Sequence, residues 1–152
     1  MILYDLKCTS SYLCTGDAPF VTNTEWMKDP FILEMTASEP LSLEEEIDMQ
    51  QSWALDPKKA TFIVARSNRT ATSSPEGAEV LLGDVNLFFN DYDDPRAAEV
   101  DIMIAREDAR CQGVGTEAVL LMLHYALKRL DVSRFYCKIN ERNMPSLHLF
   151  RK

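Results

Sequence analysis

The chain has 152 residues, 46% of them hydrophobic, which suits one domain with a core of its own spanning 1–152 and leaves little for a second. A formal net charge of -8 would repel a polyanion over most of the surface, which argues against nucleic-acid binding and favours basic or amine-bearing partners. No apolar run reaches the ~18 residues of a membrane span, and Asp5 and Lys7 interrupt "MILYDLKCTSSYLC" before a secretory core could form, so the expectation is a cytoplasmic chain off the membrane, with the nucleus as alternative.

Residues 1–20 carry weak signals: a short strand at Met1 to Leu6, then a loop rich in Ser, Thr, Gly and Pro. "TNTE" offers a helix cap at Thr22 with Glu25 three residues on, and Pro30 is expected to end that short helix after "WMKD". Ser42 with Glu45 repeats the capping pattern, and Leu43, Ile47 and Trp53 follow at helical spacing. Glu44, Glu45 and Glu46 are expected on a wet face, where acids complement the dipole of a first helical turn; a surface for a basic substrate is the other reading.

"TFIVA" (Thr61 to Ala65) and "VLLGDVNLFF" (Val80 to Phe89) read as strands joined by a polar loop, with a bulge or kink at Gly83. In "EVDIMI", Val100, Ile102 and Ile104 point one way and Glu99, Asp101 and Met103 the other, the pattern of a strand with one buried face. A helix is expected from Thr116 to Leu130, with Val119, Leu120, Leu123, Leu127 and Leu130 as its apolar stripe. "RFYCKIN" follows as a strand, and "NMPSLHLFRK" opens a last helix capped by Asn143. Cys8, Cys14, Cys111 and Cys137 show neither C-x-x-C spacing nor a nearby histidine pair, so neither a metal site nor a disulfide framework is expected.

The segment between "EVDIMI" and the helix, "ARCQGVGTEA", carries the chemistry. A strand end, a turn with Gly113 and Gly115, and a helix start together present backbone N–H groups to an anion, and glycine admits both close approach and positive φ. No Lys-Ser or Lys-Thr follows, which excludes a P-loop; the third glycine of the dinucleotide fingerprint is also missing. A turn without any ligand is the bland alternative.

"ARCQGVGTEA" contains R-x-x-G-x-G, which resembles the acetyl-coenzyme A loop of the GNAT (GCN5-related N-acetyltransferase) superfamily, and "NMPSLHLFRK" resembles that family's later motif. "EWMKDPFILEMTASEPLSLEEE", "TFIV", "GDVNLFF" and "GTEAVLLML" are similar to the N-acetyltransferase 9 subfamily, the resemblance covering Glu25 to Lys152. It implies an α/β (α+β) fold with a mixed central sheet flanked by helices. It also implies two further strands after Lys152, so the chain is expected to stop inside its last core helix with a sheet edge open.

The resemblance further implies that Arg110, Gln112, Gly113, Val114, Gly115 and Thr116 hold the pyrophosphate of acetyl-CoA, that the backbone of Ile102, Met103 and Ile104 bonds the pantetheine arm, and that Asn143 contacts that arm. Acetyl transfer needs a neutral amine, so a carboxylate must accept a proton. Glu99 is the first candidate and Asp101 the second; solvation of an exposed strand face is the alternative for both. Phe150 stands where many relatives carry a proton-donating tyrosine, leaving Tyr136 or Cys137 as substitutes beside a packing role. His124 and His148 read as structural. The expected activity is acetylation of a primary amine, a protein N-terminus or lysine; the alternative is a non-catalytic coenzyme A-binding or protein-interaction module on the same fold.

Overall fold

Alternating side chains sort the sheet into one apolar and one polar face, and that sorting decides where each helix packs. The computed structural model describes residues 1–5, 25–67 and 79–151. One five-stranded sheet runs in the order β1 (Ile2–Asp5), β2 (Lys59–Ser67), β3 (Glu79–Phe88), β4 (Ala97–Ile104) and β5 (Arg134–Tyr136). The first four pair antiparallel, and β5 lies parallel to β4, so the sheet is mixed as expected. The cap expected at Thr22 lies outside the described residues.

Phe62, Val64, Val85, Leu87, Ala98 and Val100 form the apolar face. Against it lies the long helix α3 (Val114–Arg129), which buries Ala118, Val119, Met122 and Ala126. Tyr125 meets Phe62 edge to face with ring centroids 5.1 Å apart. The expected stripe is therefore rotated: Leu120 and Leu127 are 61% and 55% exposed, while small residues and one flexible methionine face the strands. An alanine-lined helix face lies closer to a sheet than a leucine-lined one, so close packing displaces the bulkier side chains.

Helix α2 (Leu43–Leu55) covers the other face, where Lys59 Nζ sits 3.1 Å from the centre of the Trp53 ring. Its start is the expected capping box, with the Ser42 hydroxyl accepting from the Glu45 amide and the Glu45 carboxylate accepting from the Ser42 amide. A further helix was not expected: α1 (Pro30–Thr36) begins at the proline read as a stop. Proline costs no hydrogen bond in a first helical turn, and the Asp29 carboxylate accepts the Phe31 amide at 2.9 Å. The last helix, α4 (Met144–Phe150), is capped by Asn143, whose Oδ1 accepts the Ser146 amide at 3.1 Å.

The bulge expected at Gly83 is present. Val64 pairs with Gly83 and Ala65 with Leu81, so Leu82 is the extra residue and turns into the core. A Cβ on Gly83 would overlap the Met103 carbonyl oxygen and lie 2.9 Å from Ile104 Cα. Both are backbone atoms of the neighbouring strand, which cannot yield without breaking the β3–β4 ladder. Gly83→Ala is expected to cost about 3 kcal/mol, read as a lowered urea midpoint at unchanged slope.

Candidate active site

β4 has a strand beside it on both edges only at its start. Ala97, Ala98 and Glu99 pair with Arg134, Phe135 and Tyr136; beyond Glu99, β4 runs on to Ile104 with no described strand on that edge. The expected strand "RFYCKIN" thus pairs for three residues and then departs, opening a gap. Antiparallel pairing alternates which residues turn their amide and carbonyl groups toward a neighbour. The Ala105 amide donates to the Leu82 carbonyl at 2.8 Å, which by the same register assigns the Met103 backbone to β3 and that of Ile102 and Ile104 to the gap. Of the three backbones expected to meet a pantetheine arm, Met103 is therefore already engaged within the sheet.

The glycine loop starts where β4 ends. A 3-10 turn (Glu107–Ala109) reverses the chain, Cys111 takes φ 59° and Gly113 φ 83°, and α3 begins at Val114, two residues earlier than expected. Gly113 is the residue before the helix and supplies no side-chain cap, so among the described residues no side chain caps the first amides of α3. No described atom lies within 4 Å of where a Cβ of Gly113 would stand, so the space beside that residue is open among the described residues. Gly115 serves packing: its Cβ position would lie 3.6 Å from Leu149 and 3.7 Å from Ile104 side-chain carbons. Gln112 is exposed and Thr116 half-buried beside this start.

Arg110, expected at the head of the pyrophosphate seat, has its side chain on the end of β4. Its Nε donates to the Ile104 carbonyl at 2.9 Å and its Nη2 to the Ala105 carbonyl at 2.8 Å, while its guanidinium stacks 5.0 Å from the Phe31 ring. The side chain is turned inward onto the strand end, and its service is to hold the loop. Asn143 spends Oδ1 on the helix cap and keeps its amide nitrogen for another acceptor.

Glu99 stands at the last paired row of the gap, where its Oε2 accepts from Lys138 Nζ at 2.6 Å. Lys138 gives no sign of this role in the sequence, because the contact joins residues 39 apart. Glu99 and Asp101 share the polar face with Lys59, Thr61, Asp84 and Asn86, the last four buried. Thr61 donates to Asn86 Oδ1 at 2.7 Å, and Asn86 Nδ2 donates to Asp84 at 2.8 Å.

Burial pushes Asp84 up to about 7, helped by the Asp101 charge and opposed by Lys59 and Asn86. Burial lowers Lys59 to about 8 against the pull of the Asp84, Asp101 and Asp56 charges. The Asp101 side chain is open to solvent, yet the protein around it raises its pKa by desolvation, and the Ile102 amide and Lys59 oppose the rise. Phe150 packs against the core, so it offers neither a proton nor a polar atom to the gap. Tyr136 lies opposite Glu99 across the β4–β5 pair, and the half-buried Cys137 follows it. His124 and His148 are exposed.

Comparison with known proteins gives the family. The family described as Acetyltransferase (GNAT) domain matches residues 12–152. An N-acetyltransferase 9-like protein of Nematostella vectensis is 50% identical over 128 residues, which cover 84% of this chain and 65% of that one. The human alpha/beta-tubulin-N-acetyltransferase 9 is 43% identical over 129 residues, 84% of this chain and 62% of that protein. The chain thus spans less than two thirds of the length of these relatives. Among solved structures, a Vibrio cholerae spermidine N-acetyltransferase chimera aligns at TM-score 0.69 and 19% identity, covering 99% of this chain and 76% of that one. An aminoglycoside acetyltransferase in complex with coenzyme A aligns at 0.68 and 13%, covering 87% and 75%. At such identities these two share the fold alone.

The polar face makes stability depend on pH in a stated direction. Between about 4 and about 7 the folded chain keeps a proton on Asp84 that the unfolded chain has lost, so stability falls as pH rises. Between about 8 and 10.5 the folded chain has lost the Lys59 proton that the unfolded chain keeps, so stability climbs again. Thermal melts across this range are expected to show a minimum near pH 7 to 8. Asp84→Asn, which still accepts from Asn86, should remove the acid-side slope and melt higher than the parent at pH 7.5.

Proposed function

Because the chain belongs to the GNAT acetyltransferase family, we propose that it moves an acetyl group from acetyl-CoA to a primary amine of a polypeptide, an N-terminus or a lysine, by direct attack. The observation that carries this reading is that, among the described residues, the edge of β4 beyond Glu99 has no strand beside it and runs into a helix start with no side-chain cap behind a left-handed glycine. That combination offers backbone groups to an extended amide-bearing arm and helix-start amides to its pyrophosphate. The names of the relatives that carry "alpha/beta-tubulin" support a polypeptide acceptor.

In this reading the amides of Gln112, Gly113, Val114, Gly115 and Thr116 receive the pyrophosphate, and the Ile102 backbone and the Ile104 amide face the pantetheine arm, the Ile104 carbonyl being held by Arg110, with Asn143 as a further contact. The acyl donor supplies the activated carbonyl. Glu99 accepts the proton of the attacking amine on the oxygen that Lys138 leaves free, and Lys138 holds the carboxylate in one orientation. Asp101, two residues along the same face, is the second acceptor for that proton. With Phe150 in the core, solvent water at the gap protonates the leaving thiolate.

Calorimetry with acetyl-CoA and an acetylation assay on peptides with a free N-terminus or a lysine test this assignment together. Glu99→Gln is expected to lower kcat by about 10² to 10⁴ with acetyl-CoA affinity unchanged. Gly113→Asp, which puts a carboxylate and a strained left-handed residue at the helix start, is expected to abolish binding. Binding with no turnover above background would leave a coenzyme A-binding module; no binding by the folded parent would remove the reading altogether.

A further inference from the structure

Lys59 and Lys138 both meet the polar face of the sheet, and of the two Lys138 alone is open to solvent. Lys59 is 4% exposed, with its Nζ held over the Trp53 and Phe88 rings. Lys138 arrives from the other edge. Tyr136 pairs with Glu99 in the last row of β5, and side chains two residues apart on an extended chain point the same way, which returns Lys138 to the Glu99 side where the strands part. Its Nζ lies 2.6 Å from Glu99 Oε2, with the Lys138 side chain 76% exposed and that of Glu99 17%. A sheltered carboxylate therefore holds an accessible primary amine.

In the acetyltransfer reading this is where an acceptor amine gives up its proton. Just beyond Glu99, β4 has no described strand on that edge, so an acyl arm laid from the glycine loop back along Ile102 brings its thioester toward the row where Glu99 and Lys138 meet. An external amine must be captured from solution and turned to the carboxylate. The Lys138 amine is already there, and such placement replaces a bimolecular step by an intramolecular one.

We propose that Lys138 is a self-acetylation site, at which the chain transfers one acetyl group from acetyl-CoA to its own Nζ with Glu99 taking the proton. This rests on the acetyltransfer reading, which puts the reacting amine at Glu99. Nζ in its neutral form, one proton already lost to solvent, attacks the thioester carbonyl carbon. A C–N bond forms and the C–S bond breaks; the proton shed by nitrogen passes to Glu99, and the coenzyme A thiolate leaves and is protonated by water. The Glu99 hydrogen bond and charge raise the Lys138 pKa, Tyr136 adding to the rise against desolvation, so the neutral form is a minor one and the transfer is slow. It happens once per chain. The product amide carries no charge, and Glu99 loses its ion pair.

Mass spectrometry of the chain incubated with acetyl-CoA tests this, with donor binding followed by calorimetry and a peptide acceptor assayed in parallel. Lys138 is expected to be acetylated at least about tenfold faster than the exposed Lys28, Lys58 and Lys128, which report uncatalysed acetylation. The rate constant should not change with protein concentration, since amine and site belong to one chain. Glu99→Gln should slow the reaction at Lys138 by about 10², leaving the other three lysines and the acetyl-CoA affinity as in the parent. Acetylation of Lys138 no faster than of those three, a rate constant that grows with protein concentration, or a Glu99→Gln chain as fast as the parent would each overturn the proposal. A parent that acetylates the peptide while Lys138 stays unmodified would sink self-acetylation alone, whereas a folded parent that does not bind acetyl-CoA would strike the acetyltransfer reading and this inference with it.

Discussion

The Arg110 guanidinium closes the end of β4 by donating to the Ile104 and Ala105 carbonyls, and it does so from inside the loop that leads to α3. Two residues of that loop, Cys111 and Gly113, lie in the left-handed region, which costs energy at a residue with a Cβ. The fork fixes the loop to the strand, and its stack on Phe31, with Asp29 at 3.9 Å, ties α1 to the same point. Because three elements meet at one side chain, the direction of the helix-start amides is set before any ligand arrives.

β4 carries both halves of the candidate site because its alternation is strict. Val100, Ile102 and Ile104 anchor the strand to the core, and Gly115 lets α3 lie close to Ile102 and Ile104. Glu99, Asp101 and Met103 face the other way, toward the space under α2. A shift of one residue in the β3–β4 pairing would exchange the two sets and bury the carboxylates under α3. The Gly83 bulge opposes such a shift, since its close approach to Met103 fits only one register.

Much of this was legible in the sequence where the signal is local. The capping box at Ser42 and Glu45, the alternation of "EVDIMI", the Gly83 bulge and the glycine turn each depend on neighbours within a few residues, and each is present. What escaped depends on tertiary contact. The exposure of Leu120 and Leu127 follows from how closely α3 approaches the sheet, which helical periodicity does not report. Pro30 reads equally as a stop or as a first-turn residue until Asp29 is seen capping Phe31. Glu46 looks like its neighbours Glu44 and Glu45 yet is buried, and only the packing of α2 on β2 separates it from them. Lys138 and the inward turn of Arg110 likewise emerge only when distant segments meet.

The departure of β5 from β4 shapes the chemistry as well as the opening. Lys138 lies two residues past Tyr136 and so returns to the Glu99 side, keeping a cation beside the carboxylate where the strands part. Between them, Cys137 is half-buried, and burial together with the Glu99 charge pushes its thiol up. A thiol so held stays protonated at neutral pH, and the thiolate is the form that attacks a thioester. On the proposed reading the Cys137 thiol is thereby kept from competing for the acetyl group, while the amine that meets Glu99 can be deprotonated. On that reading the Glu99 charge acts in two ways, as acceptor of the amine proton and as one of the two influences that keep the Cys137 thiol protonated.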